Sequence, residues 1–147
     1  MYNLEDSIKE AKSAAEESEK LTGCPSKLSL AQWALESGWG KHSPGNNCFG
    51  IKEYTGCYGV QELMTTEVYS GVTRHLPQKF ATFKNLSDCF VKHAKLITES
   101  KYYSKAWMGY KLDKNITKLV EGIAPVYSTS PTYSKDILSL ISSTKFI

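Results

Sequence analysis

No apolar run in this 147-residue sequence approaches the roughly 20 residues that a membrane span needs. The opening stretch, MYNLEDSIKEAKSAAEESEK, has neither a basic n-region nor an apolar h-region, so no secretory signal is expected there. The expectation is a chain made in a cytoplasm, with something else carrying it to any site of action outside. No internal repeat or low-complexity linker interrupts it, and a single domain over residues 1–147 is expected. The net charge of +3 lacks the dense basic footprint of a nucleic-acid binder and is only mildly attracted to anionic surfaces. Cysteine is sparse, with four residues and neither a CxxC nor an HExxH spacing. A zinc set of His42, Cys48 and Cys57 therefore has no motif behind it, and neither metal nor cofactor is expected. Two states stay open for the thiols: a small loop closed by Cys48 and Cys57, or four reduced side chains packed as small hydrophobes.

What is present suits a packed core. Hydrophobic residues make up 41% of the chain and charged residues 22%, which argues against disorder. A chain of this length buries about two-thirds of its unfolded surface and needs no staple to fold. Leu4, Ile8, Ala11, Ala15 and Ser18 recur at helical steps and predict a helix over residues 3–21, stopped by Gly23 and Pro25. A second helix is expected from Ser26 as N-cap to Ser37, apolar on nearly every side except at Gln32 and Glu36. Gly38 reads as its left-handed cap.

Residues 60–69 and 72–83 are rich in Val, Thr, Tyr and Phe and flank Ser70-Gly71, a two-residue hairpin turn. Pro77 puts the second strand at an edge or breaks it. Helices then return, with Asn85 or Ser87, Asp113 and Ser130 as expected caps. The fold class predicted is α+β, mostly helical, with a small antiparallel lobe over residues 49–83 beside a cleft.

Glu36 closes a segment otherwise built for burial, and Gly38, Gly40, Pro44 and Gly45 break the chain directly after it. A partly buried carboxylate responds by holding its proton nearer neutral pH. A neutral acid beside a cleft is what glycosidic cleavage requires, because the leaving oxygen is protonated as the bond breaks. The plainer alternative is a solvated acid at a helix end, which the helix dipole mildly disfavours.

The string ALESGWGKHSPGNNCFGIK, residues 34–52, closely resembles the signature of the N-acetylglucosaminidases of glycoside hydrolase family 73. Three further blocks in the same order are similar to that family: TTEVYSG, FATFKNLSDCFVKHAKLI and VYSTSPTYSKDIL. The resemblance covers residues 4–141 and implies a lysozyme-like fold and hydrolysis of the glycan strands of bacterial peptidoglycan. By resemblance, Glu36 matches the general acid, Glu67 the second carboxylate, and Tyr127 a tyrosine that orients the acetamido group or the water. Glu53 and Glu62 are the fallbacks for the second acid, since an acid on a two-stranded hairpin is more often a solvated face. Trp39, Asn47, Phe49, Gly50 and Tyr133 are the expected substrate contacts. Aromatic faces stack on sugar rings, amides read substituents, and glycine allows close backbone approach. Trp39 and Phe49 read equally well as core, and Tyr133 as packing on the last helix. The chain departs from the family pattern at Ser130, where an aspartate is usual, at Cys48, where a hydrophobic residue is usual, and in a short segment between Glu36 and Glu67.

The expected activity is an endo-β-N-acetylglucosaminidase acting without cofactor, as a monomer, with peptidoglycan as partner and neither nucleic acid nor membrane insertion. The alternatives are a muramidase or lytic transglycosylase using the same acid, and a catalytically silent wall-binding module of a phage particle. The absence of wall-anchoring repeats and of an export signal points toward a phage lysin or virion component acting on the wall.

Overall fold

Asn3 starts the first helix by accepting the Asp6 amide on its side chain (3.0 Å). The computed structural model describes residues 1–146, with the side chains of Glu67, Tyr69 and Thr144 outside the described residues. Among the described residues six α-helices and one hairpin follow in order: α1 (Leu4–Thr22), α2 (Ser26–Ser37), β1 (Gly59–Tyr69), β2 (Val72–Thr82), α3 (Leu86–Glu99), α4 (Ser104–Asp113), α5 (Ile116–Tyr127) and α6 (Tyr133–Ile141). The chain is mostly helical with a two-stranded antiparallel sheet, the α+β class read from the pattern of elements.

Helix α2 is the centre of the molecule. Leu28, Ser29, Leu30, Ala31, Gln32, Trp33, Ala34 and Ser37 are all buried, and only Leu35 and Glu36 of its last two turns reach the surface. It stands between two apolar clusters. One joins Ala11, Ala14 and Ala15 of α1 to Trp33, Phe49, Phe83 and Phe90. The other joins Leu28 and Ala31 to Ile97, Leu119, Ile123 and Ile137. The small residues of α1 let it lie close against α2 and α3, while isoleucines and leucines fill the second cluster. Truncating a fully buried isoleucine such as Ile123 to alanine costs about 2–5 kcal/mol.

Beyond Gly38, which closes α2 at φ 58°, the chain stays left-handed through Trp39 (φ 62°) and Gly40 (φ 90°). Gly40 has no room for a side chain, because a Cβ there meets the Ser7 hydroxyl and the Trp33 ring. The hairpin turn is as read: Ser70 (φ 49°) and Gly71 (φ 79°) both take positive φ, the primed geometry that matches strand twist. Pairing runs from Tyr69 opposite Val72 to Gly59 opposite Thr82. Pro77 lies opposite Met64 without breaking β2, because a strand of a two-stranded sheet has a free edge. The segment before the hairpin ties to β2 through the Lys52–Phe80 bridge and the Ala81 amide on the Ile51 carbonyl (3.0 Å).

Three expected caps move. Ser26 is inside α2, with Pro25 at the cap position, and the Ser26 amide donates to the Glu19 carboxylate of α1 (3.2 Å). Asp113 ends α4, and Asn115 caps α5 by accepting the Lys118 amide (3.1 Å). Ser130 and Pro131 form a turn before α6, whose cap position is Thr132. In each case a neighbouring residue already in extended or turn geometry takes the boundary.

Candidate active site

Glu36 sits in the last turn of α2, where the following residue fixes the exit of the chain. Ser37 Oγ donates to the Trp33 carbonyl (2.5 Å) and accepts the Gly40 amide (2.8 Å). Glu36 faces an open groove of about 860 Å³ that Phe49, Gly50, His93, Tyr103 and Tyr127 also line. Its side chain reaches solvent, yet burial holds its carboxyl above the ordinary carboxylate value of 4.5. A hydrogen bond from Tyr133 opposes that rise.

Behind the acid lies a short polar relay. Gln32 Nε2 donates to the Tyr133 hydroxyl (3.0 Å), which donates in turn to Glu36 Oε1 (3.5 Å, the outer limit of such a bond). Tyr133 is 4% exposed and Gln32 fully buried, so the relay is walled off from solvent. Tyr133, expected as a substrate contact or packing, is thus a buttress behind the acid and does not line the groove. Burial, foremost, raises its hydroxyl well above the ordinary tyrosine value and keeps it a donor.

Tyr127 reaches the groove from the end of α5. Its ring stacks on Tyr133 (centroids 5.4 Å apart) and meets His93 edge-on (5.9 Å). Burial first, then the nearby Tyr133 and Glu36, push its hydroxyl well above the ordinary tyrosine value, so it too stays protonated. His93 is a groove residue that sequence reasoning missed. It is 1% exposed, stacks on Phe49 at 3.9 Å, and has no hydrogen-bond partner for either ring nitrogen among the described residues. Burial lowers its pKa to about 3, so the ring is neutral at any working pH. The available signal was its place in the α3 stripe with Phe90, Ala94 and Ile97.

A smaller cavity of about 190 Å³ also reaches Glu36, lined by Gln61, Leu63, Met64 and Thr65 of β1 and by Phe80 of β2. Strand alternation puts position 67 in the same series as 61, 63 and 65, opposite Arg74 in the register. The Glu67 side chain itself lies outside the described residues. Glu62 falls in the opposite series and Glu53 precedes the hairpin, and neither lines either cavity. Among the described residues, Glu36 is the only carboxylate at these two cavities.

The other expected contacts divide. Phe49 and Gly50 line the groove, and Gly50 (φ 65°) leaves open space where a side chain would stand. Trp39 does not reach it. Its left-handed backbone turns the ring onto Phe146 (5.3 Å) and the edge of Trp33 (6.1 Å), beside Tyr2 and Lys145. Asn47, 4% exposed, has its amide committed: Nδ2 donates to the Ile51 (2.8 Å) and Ala81 (2.9 Å) carbonyls, and Oδ1 accepts from Phe49 (3.3 Å) and Ile51 (3.1 Å). It shapes the turn that presents Phe49 and Gly50. All four cysteines are free thiols, and Cys48 faces Cys89 (Sγ to Sγ 3.6 Å), not Cys57.

Residues 12–146 match the profile of the glucosaminidase family, described as mannosyl-glycoprotein endo-β-N-acetylglucosaminidase. The chain belongs to this family. Among curated relatives, the peptidoglycan hydrolase FlgJ of Salmonella typhimurium is 29% identical over 132 residues, covering 84% of this chain and 41% of its own length. The glucosaminidase chain thus spans about two-fifths of the relatives it matches. Two solved structures share its lysozyme-like fold. The catalytic domain of the autolysin Auto from Listeria monocytogenes has a TM-score of 0.84 and 25% identity, covering 99% of this chain and 87% of that one. A glycoside hydrolase domain of Salmonella typhimurium FlgJ has a TM-score of 0.76 and 25% identity, covering 99% of each.

Proposed function

We propose that this glucosaminidase hydrolyses β-1,4 bonds of bacterial peptidoglycan strands on the reducing side of N-acetylglucosamine, with Glu36 as general acid. The observation that carries the proposal is Glu36 itself: a carboxyl held above its ordinary pKa on the wall of an open groove, with a buried donor relay behind it. In the reaction the Glu36 proton passes to the leaving glycosidic oxygen as the bond breaks and charge spreads onto the sugar ring. Tyr133 then supports the carboxylate left behind, because its hydroxyl donates to the ionised form. Tyr127, protonated and beside Glu36, donates to the acetamido carbonyl or orients the water. Phe49 forms the apolar floor under a sugar ring, and Gly50 lets the strand approach the backbone.

Glu67 is proposed to activate the water, on the strength of its position on β1 two residues beyond Thr65, which lines the cavity beside Glu36. Attack by that water inverts the anomeric centre, whereas participation by the substrate acetamido group retains it. The site of action is the bacterial cell wall.

Digestion of purified peptidoglycan with mass analysis of the products tests the reading. The expected fragments carry N-acetylglucosamine at the new reducing end. Muramic acid there, or an anhydro product, assigns the cut to the neighbouring bond and refutes it. Wall pelleting without sugar release makes the chain a binding module.

A further inference from the structure

The groove does not end at Tyr54. A second basin of about 490 Å³ opens off it, and Tyr54 and Lys92 line both. Lys84, Lys92 and Lys95 line this basin together with Tyr58, against one carboxylate, Asp88. Lys92 lies over the Tyr54 ring at 4.0 Å, which fixes its ammonium at the junction. None of the three lysines forms an ion pair among the described residues, where the one pair is Lys118 with Asp113. Lys84 and Lys95 are exposed and take no part in the catalytic groove.

We propose that this basin is a subsite for the carboxylates of the peptide branches carried by the glycan strand, a reading that rests on peptidoglycan as the substrate. The sugar backbone presents hydroxyls and amides, for which a tri-lysine basin has no use. The negative charges of such a strand hang from its side branches, and the basin adjoins the proposed strand groove at Tyr54 and Lys92. Lysine ammoniums on flexible stems accept carboxylates at varied positions, which suits a peptide of variable composition. Tyr54 and Tyr58 add ring faces and hydroxyls to the same wall.

The test measures affinity in the Glu36→Gln protein, so that no strand is cut. The probes are soluble peptide-bearing strands and the same strands after amidase treatment, which removes the peptide and leaves only the lactyl carboxylate. The expected result is about tenfold tighter binding of peptide-bearing strands at low salt, as a few partly screened charge pairs supply. Raised salt shrinks that preference, and Lys84→Glu with Lys95→Glu abolishes it. Lys84→Gln with Lys95→Gln gives an intermediate ratio. Equal affinity for both strands overturns the proposal, as does a preference that survives charge reversal. Peptide-free strands bearing wall phosphate polymers that bind as tightly as peptide-bearing ones also overturn it. The cleavage reading is tested separately by the wild-type digest, so the two failures are distinguishable.

Discussion

Lowering the pH from 7 to 5 should destabilise this protein through His93, by an amount the structure sets. The ring is fully buried with a pKa near 3, against an ordinary value of 6.5 in the unfolded chain. Between those values the unfolded state binds a proton that the folded ring refuses. Stability therefore rises with pH across that window, at about 1.4 kcal/mol per unit. From pH 6.5 down to 5 the loss is about 2 kcal/mol, and it approaches about 5 kcal/mol by pH 3, where it levels off. Typical domain stability is about 5–15 kcal/mol, so the smaller loss is already measurable and the larger one brings the fold near its limit. Glu36 acts with the opposite sign: its raised pKa means the folded protein holds the extra proton, so its contribution weakens as pH rises. Urea unfolding followed by tryptophan fluorescence, at pH 7 and 5, on wild type and His93→Leu isolates the histidine. The Glu36 contribution is common to both and cancels. The variant should lose about 2 kcal/mol less than wild type between the two pH values. Equal losses in both proteins refute the claim that a buried neutral His93 underlies the groove.

Tyr133→Phe removes the donor that lowers the Glu36 pKa, so the descending limb of the pH–rate profile on peptidoglycan moves to higher pH. Its kcat falls by about three- to tenfold, as expected for losing one positioning hydrogen bond. An unmoved limb contradicts the relay. Asn47→Ala strips four hydrogen bonds from the turn that presents Phe49 and Gly50, and should cost about 2–4 kcal/mol in urea unfolding. Unchanged stability with weakened substrate binding would return Asn47 to the role of substrate reader.

Features written in a few adjacent residues were legible in the sequence. A largely apolar α2 with one acid near its end, followed by Gly38, was enough to place Glu36 at the edge of a core. Ser70-Gly71 specified its turn because a primed hairpin needs two positive φ values in succession. Features set by distant packing were not legible. Trp39 reads equally as a sugar platform or as core until its left-handed backbone and Phe146, 107 positions away, settle the ring away from the groove. Asn47 reads as a reader of substituents until Ala81 of β2 comes within reach of its amide. Tyr133 and Gln32 are 101 positions apart, and only the packing of α6 on α2 joins them behind Glu36. His93 was hidden by its own stripe, since a buried face of α3 reads as core whether or not it forms the floor of a groove.

The central claim is that one carboxyl, Glu36, supplies the proton for glycan cleavage. Glu36→Gln keeps the shape and burial of the side chain and removes that proton. Release of soluble sugar fragments from purified peptidoglycan should fall by at least about 100-fold in the variant, with its circular dichroism and unfolding midpoint close to wild type. A folded Glu36→Gln protein that clears the wall at the wild-type rate contradicts the account.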